Sequence, residues 1–461
     1  MDSENRGAFV SRIGCLLAAA GSAIGLGNIW RFSTQAGQNG GSAFLLVYLL
    51  IILVFGLPLL ISEFVIGRRA RVNVAHAYTR LAPGSKWYIV GYASSIVAYV
   101  IFCYYAVIVG WVLFYLWKSV SGDLMHLSEL FHSGGGSVYK EHFVSFIKDP
   151  WQPVFFLFLT VAIIHLVIVY GVEKGIERTS KYLVPTLFII MVIMAVAAAF
   201  MPGAADGYRF LFDFRGASVD AGVCLSALGQ CFYSFSIGMG LVTYASYFTR
   251  DANLVKTAVS VAFLDTLVAV VAGMIIFPAV FSVEGSSPQE GAGMVFISLP
   301  AVFNSAFGSQ PVLCWLVQTS FYFILFVAAI TSAMFLYEVA TAFISERQGI
   351  SRKKAAIIIS VSSFVIGSVS SLSMGTWDFI KIMDMNLIDF IDAATSKVVL
   401  PLTGLGAALF VGWRMKQADV LDEVTNGGML KFALMTPMII LLRYIVPLLI
   451  ITLMVYNFLY S

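Results

Sequence analysis

The sequence predicts an all-α membrane protein with eleven transmembrane helices, of which the first and the sixth are broken. Of its 461 residues, 59% are hydrophobic and 11% are charged, whereas soluble domains average about 25% charged residues. Eleven apolar segments are long enough to cross a bilayer. Two of them carry glycine and polar residues at their centres. The net charge of +3 is too small to indicate a nucleic-acid partner.

The connections between the apolar segments alternate in charge. The predicted spans, numbered 1 to 11 in chain order, are 11–35, 42–67, 88–117, 153–171, 182–201, 222–249, 255–282, 311–344, 355–374, 386–413 and 435–459. Every second connection is basic, whereas 283–310 contains no lysine or arginine. Cytoplasmic loops carry the excess of basic residues. We therefore expect a multi-pass protein of the plasma membrane, with a cytoplasmic N-terminus and an external C-terminus.

Span 1 contains the most unusual stretch, residues 18–32, with the sequence AAAGSAIGLGNIWRF. Glycine destabilises a helix by up to about 1 kcal/mol relative to alanine. Asn28 and Arg31 are costly at membrane depth without partners. These features favour a helix broken near the bilayer centre, whose freed backbone groups face a cavity. From this stretch alone, a glycine-rich face for helix packing remains an alternative.

Span 6 is interrupted in the same way, because small and hydroxyl residues fill the run 229–240. Spans 1 and 6 lie five apart, so the halves that they begin have opposite orientations. Interrupted helices in corresponding positions of inverted halves indicate a binding site at the repeat interface. We therefore expect a single transporter domain over 1–461, with inverted repeats at about 6–201 and 222–413 and an extra span at 435–459.

Broken helices place two kinds of helix end inside the membrane. The amino ends suit an anion such as a carboxylate, and the carbonyl ends suit a hard cation such as Na⁺. Polar side chains at the same depth are Asn28, Ser234, Ser236, Thr331 and Ser332. Each hydroxyl could instead bond to its own helix, but several at one depth favour a site.

Ionisable residues within the spans are few, and such residues are functional candidates. Asp265 is the foremost, because a buried carboxylate needs a cation, donors or a proton. The sequence contains no phosphate-binding loop, nucleophile elbow or His/Cys metal motif, so we expect a transporter driven by an ion gradient rather than an enzyme. The connection 283–310 contains enough glycine and proline to fold back as a lid, or it is a passive connector.

Several motifs occur together along the chain. They are residues 19–32, 39–41, 56–59, 238–240, 243–247 and 330–332, with Glu63 and Gln230. This combination resembles the neurotransmitter:sodium symporter family, and within it the bacterial amino-acid branch typified by the leucine transporter. The resemblance extends from about residue 6 to residue 455, and the span 1 motif is highly specific.

The resemblance implies two sodium sites. The first would use the Ala23 carbonyl, Asn28, Ser234, Asp265 and the carboxylate of the substrate. The second would use the carbonyls of Gly21, Ile24 and Ala328 with the hydroxyls of Thr331 and Ser332.

The resemblance also implies an amino-acid substrate between the broken helices. Its carboxylate would meet Tyr105 and the amides of Leu26 and Gly27, and its amine would meet carbonyls near Ala23, Tyr233 and Ser236. The side-chain pocket would consist of Ile101, Tyr105, Tyr233, Met239 and Leu336, beside Ser234.

The same resemblance implies gates on both sides of this site. The outer gate would be Arg31 with Asp392, and the inner gate would be Arg6 with Glu346, aided by Ser246 and Tyr247. Glu63 would accept hydrogen bonds from backbone amides at the span 6 break. Gly175 and Pro185 match a Gly-x9-Pro pattern that lets span 5 unwind and admit water to the second sodium site.

Four positions depart from the leucine transporter or from the chloride-dependent members. Ser234 replaces a threonine, Tyr233 replaces a phenylalanine lid, and Met239 replaces a phenylalanine, leaving adaptable room for larger substrates. Asp265 stands where chloride-dependent members have a neutral residue. A fixed carboxylate beside Na⁺ supplies the charge that chloride would bring, so we expect two sodium ions and no chloride.

The sequence therefore predicts a sodium-coupled symporter of hydrophobic, larger or aromatic L-amino acids in the lipid bilayer. A bundle of spans 1, 2, 6 and 7 would rock against a scaffold of spans 3, 4, 8 and 9. One alternative is a proton-coupled transporter of the same architecture, with Asp265 or Glu338 as the proton carrier. Another is a receptor or channel that binds amino acids without moving them uphill.

Overall fold

The structure is a computed structural model that describes residues 8–130, 137–282 and 295–460. The described chain is almost entirely helical. Its strands, Lys381–Ile382 and Met385–Asn386, form a two-stranded antiparallel hairpin between spans 9 and 10. Arg6 of the predicted inner gate and residues 283–294 of the predicted lid lie outside the described residues.

Within the described residues, nine helices are long and apolar enough to cross a membrane. They are Ser42–Ala70, Tyr88–Val120, Gln152–Val169, Val172–Ala199, Leu254–Phe281, Pro311–Gln348, Arg352–Leu372, Leu387–Arg414 and Met435–Leu459. These helices match predicted spans 2 to 5 and 7 to 11. Shorter helices between them are Val74–Leu81, Asp123–Leu130, Ser137–Lys148, Ala204–Phe212, Ser298–Phe307 and Gln417–Val424.

Spans 1 and 6 are both interrupted. Span 1 consists of Arg12–Ala23 and Gly27–Gln38, bent by 55° at the break. Span 6 consists of Ala221–Ser234 and the short helix Leu241–Ala245. Neither helix of span 6 is long enough to cross a membrane alone, so the count of eleven spans and the inverted repeat remain predictions.

Span 5 begins about ten residues earlier than the sequence predicts, at Val172 instead of 182. Its first part, Val172–Glu177, is a wide π-helical turn, and Pro185 lies inside the following helix Arg178–Ala199. The sequence places the start of span 5 after the charged residues at 173–181, because they interrupt the apolar run. Glu177 is nevertheless buried in the structure, because partners from elsewhere in the chain satisfy its carboxylate.

The core is built around spans 3 and 8, which share the most extensive helix–helix contact. The first half of span 1 lies against spans 5, 7 and 8. Its buried turn of small residues, Ala18–Gly21, permits this close approach, as small residues do between membrane helices. The break in span 1 therefore lies deep inside the protein.

A buried arginine joins three elements at the C-terminal end of span 2. The Arg68 Nε donates to the Glu423 carboxylate at 2.6 Å and its Nη1 donates to the Ala252 carbonyl at 2.6 Å. Its Nη2 donates to the Glu423 carbonyl oxygen. The Arg68 side chain is only 3% exposed, so all of these bonds are shielded from water. This residue fixes the helix Gln417–Val424 and the connection between spans 6 and 7 to span 2.

Arg68→Ala is expected to lower the free energy of unfolding by about 3–5 kcal/mol, because it removes the short buried ion pair to Glu423 and leaves that carboxylate only the longer contact with Arg69. Arg69→Ala is the matched control. Arg69 pairs with Asp419, Asp422 and Glu423 from the neighbouring position, but its side chain is 28% exposed, so its loss should cost about 1 kcal/mol or less. Melting curves of the purified variants in detergent compare the two; equal shifts would contradict this account.

Candidate functional site

The break in span 1 exposes backbone groups in the protein interior. The helix Arg12–Ala23 ends there, and the next helical turn begins at Gly27. The Ile24 carbonyl accepts a hydrogen bond from the Ser332 hydroxyl at 3.0 Å, and the Leu26 amide donates to the Tyr105 hydroxyl oxygen at 3.3 Å. The break thus offers both a carbonyl end and an amide end, as a broken helix should.

Glycines allow side chains to approach this break closely. A Cβ on Gly27 would lie 3.1 Å from the Tyr233 ring, and one on Gly25 would overlap the Ser332 hydroxyl. The Tyr233 ring and span 8 can therefore pack directly on the backbone of span 1. These glycines are needed for this close approach. A glycine-rich face that only packs against another helix would not require span 1 to break here.

The break in span 6 lies opposite. Its backbone turns through Ser236, Gly238 and Gly240, all with positive φ. Ser236 is strained in this conformation, and its hydroxyl donates to the Ser22 carbonyl at 3.0 Å. The Gly238 amide donates to the Glu63 carboxylate at 2.7 Å. Glu63 thus meets a backbone amide of the span 6 break, as the family resemblance implied.

A small cavity of about 30 Å³ lies between the two breaks. All ten predicted substrate residues line it: Ala23, Leu26, Gly27, Ile101, Tyr105, Tyr233, Ser234, Ser236, Met239 and Leu336. Gly25, Ser332 and Phe335 line it as well. The sequence assigned Ser332 to sodium alone and missed Phe335, although a residue three positions from Ser332 shares its helix face.

Asp265 forms the centre of the first predicted sodium site. It is fully buried. The Asn28 Nδ2 donates to its Oδ1 at 2.6 Å, and the Ser234 hydroxyl donates to its Oδ2 at 2.8 Å. The side-chain oxygen of Asn28, Oδ1, instead accepts a hydrogen bond from the Gly25 amide at 2.8 Å. The side-chain amide nitrogen of Asn28 thus faces Asp265, because a buried carboxylate requires donors.

The second predicted sodium site lies beside the first. The Thr331 hydroxyl bonds within its own helix, at 3.0 Å from the Ala328 carbonyl oxygen and 3.1 Å from that of Val327, and it lies 3.4 Å from the Ile24 carbonyl oxygen across the break. Gly21 packs beside Thr331, since a Cβ on it would lie 3.5 Å from the Thr331 Cβ. With Ser332, the five predicted residues lie close together where span 8 passes the span 1 break.

The two residues predicted for the outer gate do not form an ion pair with each other in the described part of the chain. The Arg31 guanidinium lies over the Tyr233 ring, 4.6 Å from its centre, where a cation is attracted to the aromatic face. The Asp392 carboxylate accepts from the Tyr104 hydroxyl at 2.7 Å. The sequence did not identify Tyr104, which is one of many aromatic residues in span 3.

The described residues of the predicted inner gate form hydrogen bonds with residues that the sequence did not assign to the gate. The Tyr247 hydroxyl donates to the Glu338 carboxylate at 2.7 Å, and Arg352 binds the same carboxylate. Glu346 accepts from the Asn73 side chain at 2.7 Å. The Ser246 hydroxyl also donates, to the Thr243 carbonyl. Arg352 lies at the start of span 9, and the sequence analysis did not identify it as a partner of Glu338.

Comparison with known proteins identifies the family. The family model for the Sodium:neurotransmitter symporter family matches residues 6–130 and 137–461. The chain is 36% identical over 445 residues to an uncharacterized sodium-dependent transporter, YhdH, of Bacillus subtilis, covering 96% of both chains. It is 27% identical to the human sodium- and chloride-dependent GABA transporter 2, covering 88% of this chain and 73% of that protein.

A solved structure shares the fold. The crystal structure of MhsT in complex with L-phenylalanine superposes with a TM-score of 0.87 at 39% sequence identity, covering 98% of this chain and 100% of that chain. The family consists of transporters, and the many apolar helices agree with a multi-pass membrane protein. The chain belongs to the sodium:neurotransmitter symporter family.

Proposed function

We propose that the protein couples the uptake of hydrophobic L-amino acids, the larger or aromatic ones, to the inward movement of sodium. The observation that carries this proposal is the meeting of three features at one depth. The buried Asp265 carboxylate, the Ile24 carbonyl with the span 8 hydroxyls, and an apolar pocket all surround the span 1 break. Hard oxygen donors suit sodium, and free amides suit a substrate carboxylate.

The pocket supports the proposed substrate class. Tyr233 and Phe335 supply aromatic walls, and Met239 supplies a flexible one. The structural neighbour MhsT was crystallised with L-phenylalanine. An aromatic amino acid would place its ring between these side chains and its carboxylate at the Leu26 amide and the Tyr105 hydroxyl.

Asp265 supports chloride-independent transport with two sodium ions. Its fixed negative charge would offset the charge of the first ion. Binding of that ion would turn the Asn28 side-chain amide so that Oδ1 faces it. The second ion would be held by Ile24, Ala328, Thr331, Ser332 and Gly21.

The wider architecture is part of the same proposal. A single domain of eleven spans would contain inverted repeats at about 6–201 and 222–413, with span 11 added. The N-terminus would lie in the cytoplasm and the C-terminus outside the plasma membrane. Spans 1, 2, 6 and 7 would rock against spans 3, 4, 8 and 9, and Arg31 with Asp392 would close the outer path through Tyr233 and Tyr104.

The test is a thermal-shift screen of the twenty amino acids on purified protein, in sodium and in potassium. A bound substrate stabilises the folded protein by mass action. We expect the aromatic and larger aliphatic amino acids to raise the melting temperature in sodium only. Equal shifts in potassium would contradict sodium coupling, and stabilisation that follows pH instead would favour the proton-coupled alternative.

Met239→Phe is expected to lower the affinity for aromatic substrates by about tenfold and to leave the affinity for smaller aliphatic substrates unchanged, because the added ring fills the pocket. Met274→Phe in span 7, outside the pocket lining, is the matched control. Competition of unlabelled amino acids against a labelled substrate measures both. An unchanged order of preference would show that Met239 does not limit the pocket.

A further inference from the structure

A buried carboxylate of span 5 binds the backbone that leads into span 1. The Val10 amide donates to the Glu177 Oε2 at 2.8 Å. The Ser11 amide and hydroxyl donate to its Oε1 at 3.2 and 2.8 Å. Lys181 forms an ion pair with the same oxygen at 2.8 Å. The Glu177 side chain is 1% exposed, so four donors offset the cost of burying its charge.

The contact is built into the start of the span 1 helix. Ser11 is its N-cap, and the Ser11 hydroxyl oxygen accepts from the Gly14 amide at 2.9 Å while its proton goes to Glu177. A Cβ on Gly14 would overlap the Glu177 carboxylate. Glu177 therefore extends the N-cap from another span and adds a negative charge where the helix dipole favours one.

The residue before this contact is fixed to span 6. Phe9 is buried, its amide donates to the Tyr247 carbonyl at 3.1 Å, and its ring packs against Tyr244 and Phe248. Residues 9–11 thus bridge the end of span 6 and the start of span 5. Span 1 cannot leave this position without breaking the Glu177 contact or carrying span 5 with it.

Glu177 lies in the least regular part of span 5. It ends the wide turn Val172–Glu177, which follows Gly171 at a φ of 87°. Gly175 packs so closely on the Val167 carbonyl that a Cβ there would overlap it. Wide turns are frequent at functional sites, and this one positions the carboxylate that receives the start of span 1.

We propose that Glu177 is a positioning residue that holds the first half of span 1 in place. This inference rests on the proposed alternating-access function. Withdrawal of the carboxylate would remove the added cap from the helix Arg12–Ala23 and free that half-helix to move.

The test uses the thiol of native Cys15, one turn after Ser11 and 6% exposed. The other four cysteines, Cys103, Cys224, Cys231 and Cys314, are replaced by alanine. Labelling by a maleimide in detergent with saturating sodium is followed by mass spectrometry.

Glu177→Gln should raise the labelling rate about tenfold, because a neutral amide loses the charged hydrogen bonds. The matched control is Glu173→Gln, an exposed carboxylate in the same turn, which should leave the rate unchanged.

Ser11→Ala provides a milder second variant, which keeps the carboxylate and its lysine and should raise the rate less than Glu177→Gln. Equal rates in all variants would overturn the proposal, as would an equal rise with Glu173→Gln. A failure of the proposed function is seen separately. The wild-type rate would then be the same in potassium as in saturating sodium, while the difference between the Glu177 and Glu173 variants would persist.

Discussion

Asp265→Asn is expected to reduce sodium-driven uptake in chloride-free medium by about a hundredfold or more, and chloride is expected to restore part of it. The Asp265 carboxylate is fully buried and bound by Asn28 and Ser234. In such surroundings, one charge beside a cation about 4 Å away is worth about 4 kcal/mol. An amide keeps the shape of the carboxylate but supplies no charge.

The control for this variant is Asp251→Asn. Asp251 pairs with Arg12 at 3.2 Å, but its side chain is 60% exposed, so its charge is screened by solvent. Uptake of a labelled amino acid is measured in chloride and in gluconate for both variants. If Asp265→Asn retains full uptake and gains no response to chloride, the carboxylate does not take the place of chloride.

Ser332→Ala is expected to lower uptake at least about tenfold and to change the sodium dependence from cooperative to hyperbolic. Its hydroxyl donates to the Ile24 carbonyl at 3.0 Å, and Ser332 both lines the pocket and belongs to the proposed second sodium site. With two coupled ions, the Hill coefficient for sodium should be about two, and with one site lost it should fall to about one.

Ser345→Ala is the matched control for Ser332→Ala. It lies on the same helix, and its hydroxyl donates to the Ile350 carbonyl at 2.8 Å, far from the breaks. Sodium titrations of initial uptake rates compare the two variants. Unchanged cooperativity in Ser332→Ala would exclude its hydroxyl from a sodium site.

The positions of the spans could be predicted because bilayer thickness imposes long apolar runs on the sequence. The breaks could be predicted for the same reason, since glycine and asparagine stand out against such runs. Span 5 was misplaced because hydropathy cannot detect that a distant backbone satisfies a charge. Glu177 belongs to a membrane helix only because Val10 and Ser11 supply its donors.

The lining of the pocket was predicted more completely than its internal hydrogen bonds. Motifs specify which residues meet, and all ten predicted substrate residues line one cavity. They do not specify how a side-chain amide is turned, which depends on the balance of donors around Asp265. Nor do they reveal partners such as Tyr104 or Arg352, whose roles arise only where separate helices pack together.

The most direct measurement of the central claim is uptake of radiolabelled phenylalanine and leucine into proteoliposomes containing the purified protein. With sodium outside and potassium inside, we expect accumulation above the external concentration, without a need for chloride. Moving one charge through 100 mV is worth about 2.3 kcal/mol, so an inside-negative potential should increase it. Equal uptake with potassium on both sides would contradict the account, and accumulation driven by a pH gradient without sodium would favour proton coupling.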